Sequence, residues 1–198
     1  VVANILAVID PREESHHALE RCKQLPSTTN LDIHAALFIE NESAEKFKAK
    51  FTESKEWLER QVAPYIADGY RVTSEVVPFD TLYESVIEVA KKQNADFIAK
   101  PMRQHSLFQT VVRTSTDWNL IRHCPYPLLL ASDLDTTTNK PILAAVDVRS
   151  GDDNHEALNE IVMQQAQLLS AFLGGQVEIV NSWRASTPMM AVGSVDTT

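Results

Sequence analysis

The chain has 198 residues, 44% of them hydrophobic, which is enough for one complete domain and part of a second. With 18 Lys and Arg against 27 Asp and Glu, the formal net charge is −9, which argues against nucleic acid or an anionic membrane as the main partner. No apolar run reaches the roughly 20 residues of a membrane span, and the two cysteines, Cys22 and Cys124, have no motif spacing. We therefore expect a cytoplasmic protein with free thiols.

The first predicted elements are a strand and a helix. Residues 4–9 form a continuous apolar run that ends in Asp10, which is typical of a strand covered on both faces. Pro11 ends that strand, and apolar residues at helical spacing predict a helix over residues 13–25. A second strand over residues 31–39 and a long charged helix over 42–68, closed by Gly69, follow.

The same alternation of strands and helices continues along the chain. Patterning predicts strands over residues 72–77, 96–99 and 127–131, and helices over residues 82–93 and 118–123. Strands separated by helices call for right-handed crossovers in a parallel sheet. The sequence therefore predicts an α/β fold with a doubly wound, five-stranded parallel sheet, and residues 1–132 as the first domain.

The sequence then begins to repeat itself. A polar, threonine-rich linker over residues 133–140 precedes residues 142–147, Ile-Leu-Ala-Ala-Val-Asp, which resemble Ile-Leu-Ala-Val-Ile-Asp at residues 5–10. The next predicted helix repeats as well. We expect residues 141–198 to be the N-terminal part of a second domain, incomplete in this chain, because three further strands would follow if it matched the first.

The segment at residues 100–118 leaves the carboxyl end of the fourth predicted strand and returns through a helix, where open α/β sheets bind ligands. It has two interpretations. Thr114-Ser115-Thr116-Asp117 matches a helix-capping signal that places Asp117 on the positive helix end, and we favour this structural role. The alternative is an anion held by four cationic side chains: Lys100, Arg103, His105 and Arg113.

Several of these features resemble a known family. Five β/α units alternate along the first domain, the first strand ends in Val-Ile-Asp, and Arg122-His123-Cys124-Pro125-Tyr126-Pro127 precedes the final strand. This arrangement, present once in full and once in part, resembles the universal stress protein family and its tandem, E-type members in particular. The resemblance implies a Rossmann-like fold and a role in stress response.

Nucleotide-binding members of that family carry Gly-x-x-Gly, nine residues, then Gly-Ser or Gly-Thr, so that backbone N–H groups hold the phosphates. In this sequence the pattern falls on Pro101, Gln104 and Thr114-Ser115, and every glycine is absent. With Arg103, these residues form what we interpret as a degenerate nucleotide or anion site. The resemblance then implies a non-catalytic stress-response module, without a cofactor in its first domain, and not an enzyme.

Asp10 and Asp147 correspond to the family's acid after the first strand, which contacts the ribose or base of bound nucleotide. For Asp10 we favour a simpler role, in which the Asp-Pro sequence turns the chain and caps the next helix. The role of Asp147 stays open. The alternative function is therefore a stress protein that binds ATP, another adenine nucleotide or a different small ligand in the second domain. The histidines have no ligand spacing, so no metal is expected.

The apolar strand at residues 127–131 is predicted to lie at the edge of the sheet. Such an edge is a template for pairing with another strand. In tandem relatives the final strands of the two domains pair with each other, so we expect this strand to pair with an intramolecular second domain or in a homodimer.

Overall fold

The five apolar runs of the first unit form a single parallel sheet. The computed structural model describes residues 2–24, 30–41, 44–102, 116–131, 141–148, 153–173 and 175–181, and it divides the chain into one unit over Val1–Thr136 and another over Thr137–Thr198. The strands of the first unit are Val2–Ile9 (β1), Asn30–Glu40 (β2), Arg71–Phe79 (β3), Phe97–Pro101 (β4) and Leu128–Ala131 (β5). Their order is β3-β2-β1-β4-β5, which confirms the predicted doubly wound α/β fold.

Helices cover both faces of this sheet. They are His17–Lys23 (α1), Ala44–Ala67 (α2), Leu82–Lys92 (α3) and Thr116–His123 (α4). Alternate residues of β1 belong to two separate cores: Ile5, Ala7 and Ile9 pack with α1 and α2, and Leu6 and Val8 pack with α3 and α4. Because successive strand residues point to opposite faces, a strand covered on both sides needs the continuous apolar run seen in the sequence.

The predicted start of α1 was wrong. The prediction placed Glu13 inside the helix, but α1 begins at His17. Asp10 accepts hydrogen bonds from the backbone N–H of Arg12 through Oδ1 (3.1 Å) and from the backbone N–H of Glu13 through its carbonyl oxygen (3.2 Å). These local bonds hold the chain in a turn after β1. Asp10 does not cap α1 either, since the N-cap residue is His16.

The end of β4 also differs from the prediction, because Lys100 and Pro101 belong to the strand and not to the loop that follows it. The N–H of Met102 donates to the carbonyl oxygen of Ala131 at 2.6 Å, so the pairing with β5 continues past the proline. The Pro101 nitrogen faces the other neighbour, β1, whose pairing with β4 ends at Ala99. A proline is therefore tolerated here, since no ladder hydrogen bond is lost.

Gly69 ends α2, as the sequence predicted. Its φ is +91°, in the left-handed region that glycine adopts without strain. The N–H of Gly69 donates to the Ile66 carbonyl (3.0 Å) and that of Tyr70 to the Tyr65 carbonyl (3.1 Å). These two bonds are those of a Schellman motif, which satisfies the last carbonyls of the helix.

We expect Gly69→Ala to lower the free energy of unfolding by about 1 to 2 kcal/mol, because alanine is strained at positive φ. No atom lies within 4 Å of a Cβ built at this position, so the cost comes from the backbone alone. Gly69→Asn is the matched control and should cost less, since asparagine tolerates the left-handed region. Urea denaturation of the three proteins measures the differences. Equal losses for alanine and asparagine would contradict this explanation.

The second unit contains a single β-α-β arrangement within the described residues. Its elements are Ile142–Ala145 (β6), Asp153–Leu173 (α5) and Val177–Val180 (β7), with the two strands parallel and Ile142 opposite Val177. The order is that of β1, α1 and β2. That this unit begins a second domain of the same kind stays a prediction. In the parts of the chain that the structure describes, no helix is long and apolar enough to cross a membrane.

Candidate functional site

The candidate site lies at the carboxyl ends of β1 and β4. These neighbouring strands mark the point where the strand order reverses, since the chain runs from β1 outward to β3 and then returns to β4. In doubly wound folds, the crossovers from two such strands leave towards opposite faces of the sheet and open a crevice between them. Asp10 follows β1 directly and Met102 follows β4, so the residues of interest in the first unit are grouped at this edge.

An ion pair joins the end of β4 to the first turn of α4. The Lys100 ammonium lies 2.7 Å from Oδ1 of Asp117, and the two side chains are only 12% and 17% exposed. The same ammonium donates to the carbonyl oxygen of Pro101 at 2.9 Å. A pair so shielded from water is weakly screened, and the carboxylate also favours the positive end of the helix. Lys100 and Asp117 therefore fix the start of α4 against the sheet.

The acid after β1 is engaged by its own loop. Oδ1 of Asp10 accepts hydrogen bonds from the backbone N–H and from Nε of Arg12, at 3.1 and 3.0 Å. Arg12 is 70% exposed, while the Asp10 side chain is 12% exposed. Asp10 thus takes part in the turn that follows β1, and its role towards a ligand stays a prediction.

Glu13 is a further acid at this edge. Burial raises the pKa of its carboxyl, and the charge of Asp10 raises it further, whereas His17 and Lys100 lower it. The net pKa is above the ordinary value of 4.5. Oε1 of Glu13 lies 3.9 Å from Nε2 of His17, four residues further along the chain. Glu13, on the loop after β1, is thus within range of the charge of Lys100 at the end of β4.

The described acids at this edge each lie near a basic side chain. Asp117 is paired with Lys100, Asp10 with Arg12, and Glu13 lies near His17. Among the residues that the structure describes, no group of three or more His, Cys, Asp or Glu is arranged to hold a metal ion. The described ion pairs therefore stabilise the chain where β1 and β4 end.

The structure brings together part of the predicted site. Asp10, Lys100 and Pro101 lie at the same sheet edge, and Pro101 is buried. The other predicted residues of the first domain lie outside the described residues, together with the two further cations of the anion hypothesis: Arg103, Gln104, Thr114, Ser115, His105 and Arg113. Their roles stay predictions.

Asp147 lies in the second unit, after β6. Its backbone is held by the side-chain amide of Asn159 on α5. The Asp147 N–H donates to Oδ1 of Asn159 at 3.0 Å, and Nδ2 of Asn159 donates to the Asp147 carbonyl at 2.8 Å. This two-bond contact fixes the main chain where the strand ends. The corresponding residue of the sequence repeat in the first unit is Glu20, which instead accepts a hydrogen bond from the Tyr65 hydroxyl at 2.7 Å.

Sequence reasoning missed Glu13, His17 and the pairing of Lys100 with Asp117. The four-residue spacing of Glu13 and His17 was a usable signal, but it was read as part of a longer helix. The spacing of Lys100 and Asp117 gave no signal, because their contact depends on how α4 returns to the sheet.

Comparison with known proteins agrees with this architecture. A model of the universal stress protein family matches residues 2–132, which is most of the chain. This chain belongs to the universal stress protein family. Over 202 residues it is 27% identical to universal stress protein E of Salmonella typhi, with 96% of this chain matched against 64% of that protein. The chain thus spans somewhat less than two thirds of the length of this relative.

Solved structures share the fold. A functionally unknown protein from Pseudomonas aeruginosa PAO1 is similar at a TM-score of 0.68 and 23% identity, over 90% of this chain and 60% of that one. A universal stress protein solved in complex with cAMP is similar at a TM-score of 0.51 and 14% identity, over 65% of this chain and 96% of that one. At these identities the similarity establishes the fold alone.

The raised pKa of Glu13 predicts a pH-dependent stability. A carboxyl whose pKa is higher in the folded protein than in the unfolded chain stabilises the fold when it is protonated. This stabilisation is fully present below the pKa of the unfolded chain and is lost as pH rises through the pKa of the folded protein. Glu13→Gln, which resembles the protonated acid, should therefore melt at a higher temperature than the unmodified protein at pH 7. Below pH 4.5, the ordinary pKa of the group, the two should converge.

Glu14→Gln provides the control, since Glu14 is exposed. Its melting temperature should follow that of the unmodified protein across the same pH range. A Glu13→Gln variant that is less stable than the unmodified protein at pH 7 would contradict the assignment.

Proposed function

We propose that this chain is a non-catalytic stress-response module whose first unit does not hold nucleotide in the manner of the family's glycine motif. The observation that carries the proposal is the ion pair of Lys100 with Asp117. A helix N-terminus at the switch point of a doubly wound sheet attracts an anion, because its N–H groups and dipole are positive. In this unit the carboxylate of Asp117 already supplies a negative charge in the first turn of α4.

The sequence of the adjoining segment supports the same conclusion. Pro101 has no N–H, and Gln104 and Thr114 stand where the family pattern has glycine. A cradle of backbone N–H groups needs several of them to converge on one phosphate. Each hydrogen bond to a charged group contributes roughly 1.5 to 3 kcal/mol, so the loss of two weakens binding by about a hundredfold or more.

The second candidate function is nucleotide or small-ligand binding in a tandem second domain. The contact of Asn159 with both backbone groups of Asp147 favours it, since a fixed main chain orients the acid that the family uses after its first strand. The proposal includes this tandem organisation, with the second unit as the start of another domain of the family. It also includes a cytoplasmic location, which the free thiols of Cys22 and Cys124 support.

Strand β5 is the proposed pairing edge. In the described residues it has a sheet neighbour on one side only, β4. The Pro127 carbonyl accepts from Ile98 of β4, and the Ala131 carbonyl accepts from Met102 just after it. The alternate residues Leu128 and Leu130 therefore direct their N–H and C=O groups to the other side. The opposite edge of the sheet, β3, contains Pro78, a residue that discourages pairing. We propose that β5 pairs with a second copy or with an intramolecular second domain.

Calorimetric titration of Mg-ATP tests the proposal for the first unit. Asp147→Ala in the 198-residue chain removes the candidate acid of the second unit, and this variant should show no binding at micromolar concentrations. The affinity of this variant for Mg-ATP should rise when glycine is added at three positions: Pro101→Gly, Gln104→Gly and Thr114→Gly. Alanine at the same three positions is the control. A dissociation constant below about 10 μM for Asp147→Ala alone, near −7 kcal/mol, would overturn the proposal.

Pairing through β5 predicts that Leu130→Pro weakens association at least tenfold, because it removes an outward N–H without breaking a bond to β4. Leu130→Ala shortens the side chain but keeps the N–H, so it should remain closer to the unmodified protein. Sedimentation velocity measures the dissociation constant, and circular dichroism checks the fold. A monomeric unmodified chain would count against a homodimer. Pairing with an intramolecular second domain would then remain, and a cross-link from β5 to the second domain of a longer chain would reveal it.

A further inference from the structure

A hydroxyl, an imidazole and a carboxylate lie in series on β2 and β3, away from the crevice described above. The hydroxyl oxygen of Thr73 is 2.8 Å from Nδ1 of His34, and Nε2 of His34 is 3.2 Å from Oε2 of Glu75. Both distances fall in the range in which a base activates a hydroxyl and a third group orients the base. The series lies towards the amino ends of the strands, on the face that α3 covers.

The strand register produces this series directly. His34 is the Cα partner of Thr73, and Ala36 is the partner of Glu75. Because alternate residues of a strand share a face, Thr73 and Glu75 stand on either side of the imidazole. The Lys92 ammonium, at the end of α3, lies 2.7 Å from Oε1 of Glu75 and holds its carboxylate in place.

The protonation states suit a base. Burial lowers the pKa of His34, although the hydrogen bond and charge of Glu75 oppose that effect. For Glu75, burial raises the pKa, but hydrogen bonds and charges from Lys92 and His34 outweigh it, so its pKa is lowered. A neutral imidazole therefore lies beside an ionised carboxylate near neutral pH.

The ionised Glu75 favours the tautomer with the proton on Nε2. Nδ1 of His34 then accepts a hydrogen bond from the Thr73 hydroxyl. The Ile33 carbonyl is a second acceptor for this hydroxyl, but it is 3.5 Å away. The carboxamide of Gln93 is the remaining neighbour of the ring, with Nε2 at 3.3 Å from Nε2 of His34. In this tautomer the Gln93 amide turns its oxygen to the ring N–H, an exchange of two atoms of similar size.

A cavity of about 230 Å³ adjoins the series. Its polar lining comes from Asn4, Asp32, His34, Arg71, Thr73 and Gln93. Thr73 is exposed and lies on an edge strand, so a small molecule reaches it from solvent. Arg71 lies two residues before Thr73, on the same face of β3. Its guanidinium has five N–H donors, and its Nε lies 2.6 Å from Oδ1 of Asp32.

We propose that Thr73 is an acyl-accepting nucleophile, activated by His34, for small activated esters and thioesters. Nδ1 of His34 takes the hydroxyl proton as Oγ1 of Thr73 bonds to the acyl carbon. The bond from that carbon to the leaving oxygen or sulfur breaks, and the imidazolium returns the proton to the leaving group. Arg71 is the nearby positive charge for the oxyanion. Glu75 and Lys92 are positioning residues. The site goes beyond the proposed stress-response role and does not depend on it.

The test uses the whole 198-residue chain and p-nitrophenyl acetate as the acyl donor, with the modified position identified by peptide mass spectrometry. We expect one acetyl ester on Thr73, separated from acetylated lysines by its removal with hydroxylamine. Its rate of formation should rise with pH through an apparent pKa below the ordinary 6.5 of histidine. His34→Gln should slow it about a hundredfold or more, the usual contribution of a general base.

Two further variants test whether Thr73 is acetylated because His34 activates its hydroxyl or only because the hydroxyl is exposed. Ser74→Ala removes the neighbouring hydroxyl, on the opposite face of β3, and should leave the rate unchanged. Glu75→Gln should slow the reaction less than His34→Gln and alter its pH profile, which a purely structural role would not do. The proposal is overturned if Thr73 is not acetylated, or if His34→Gln, with an unchanged circular dichroism spectrum, is acetylated there as fast as the unmodified protein.

Discussion

The ion pair of Lys100 with Asp117 is the constraint on which the candidate site depends. It joins the last residues of a central strand to the first turn of the helix that returns to the sheet. In doubly wound folds that junction is where an anionic ligand meets a helix N-terminus. Here a carboxylate of the chain itself meets it, with the largely shielded Lys100 as counterion. The two opposite charges stabilise the junction itself, and the proposed loss of phosphate binding rests on them.

The other described charges where β1 and β4 end also interact with one another. Arg12 engages the acid after β1, and His17 and Lys100 lower the cost of burying the Glu13 carboxylate. Each of these described groups therefore lies near an interaction partner within the unit. The second unit differs, because a neutral amide fixes the backbone of its corresponding acid, Asp147, by two hydrogen bonds.

The fold could be predicted because its signals are local and repeated. The apolar run of β1 indicates a strand buried on both faces, and Ile5 and Leu6 indeed belong to opposite cores. The end of α2 was predicted for a similar reason, since a glycine after a long helix favours a left-handed turn, and Gly69 has a φ of +91°. The start of α1 was missed because two hydrogen bonds to Asp10 outweigh the helical spacing of the residues that follow.

The site was less predictable because its contacts join distant parts of the chain. The sequence predicts that the chain leaves the fourth strand at Lys100, but pairing with β5 continues β4 through Pro101. The series of Thr73, His34 and Glu75 depends on a register between β2 and β3, which no spacing in the sequence reports. Sequence patterns of this kind predict which elements form, whereas packing and register decide which side chains meet.

The most direct measurement of the central claim is a double-mutant cycle on Lys100 and Asp117 by urea denaturation. Lys100→Met, Asp117→Asn and the double variant give the coupling free energy, and the exposed pair Lys55 and Glu59, 4.0 Å apart, provides the matched control. We expect a coupling of about 1 to 3 kcal/mol for the shielded pair and about 0.5 kcal/mol or less for the exposed one. A coupling for Lys100 and Asp117 no larger than that of the control would contradict the account.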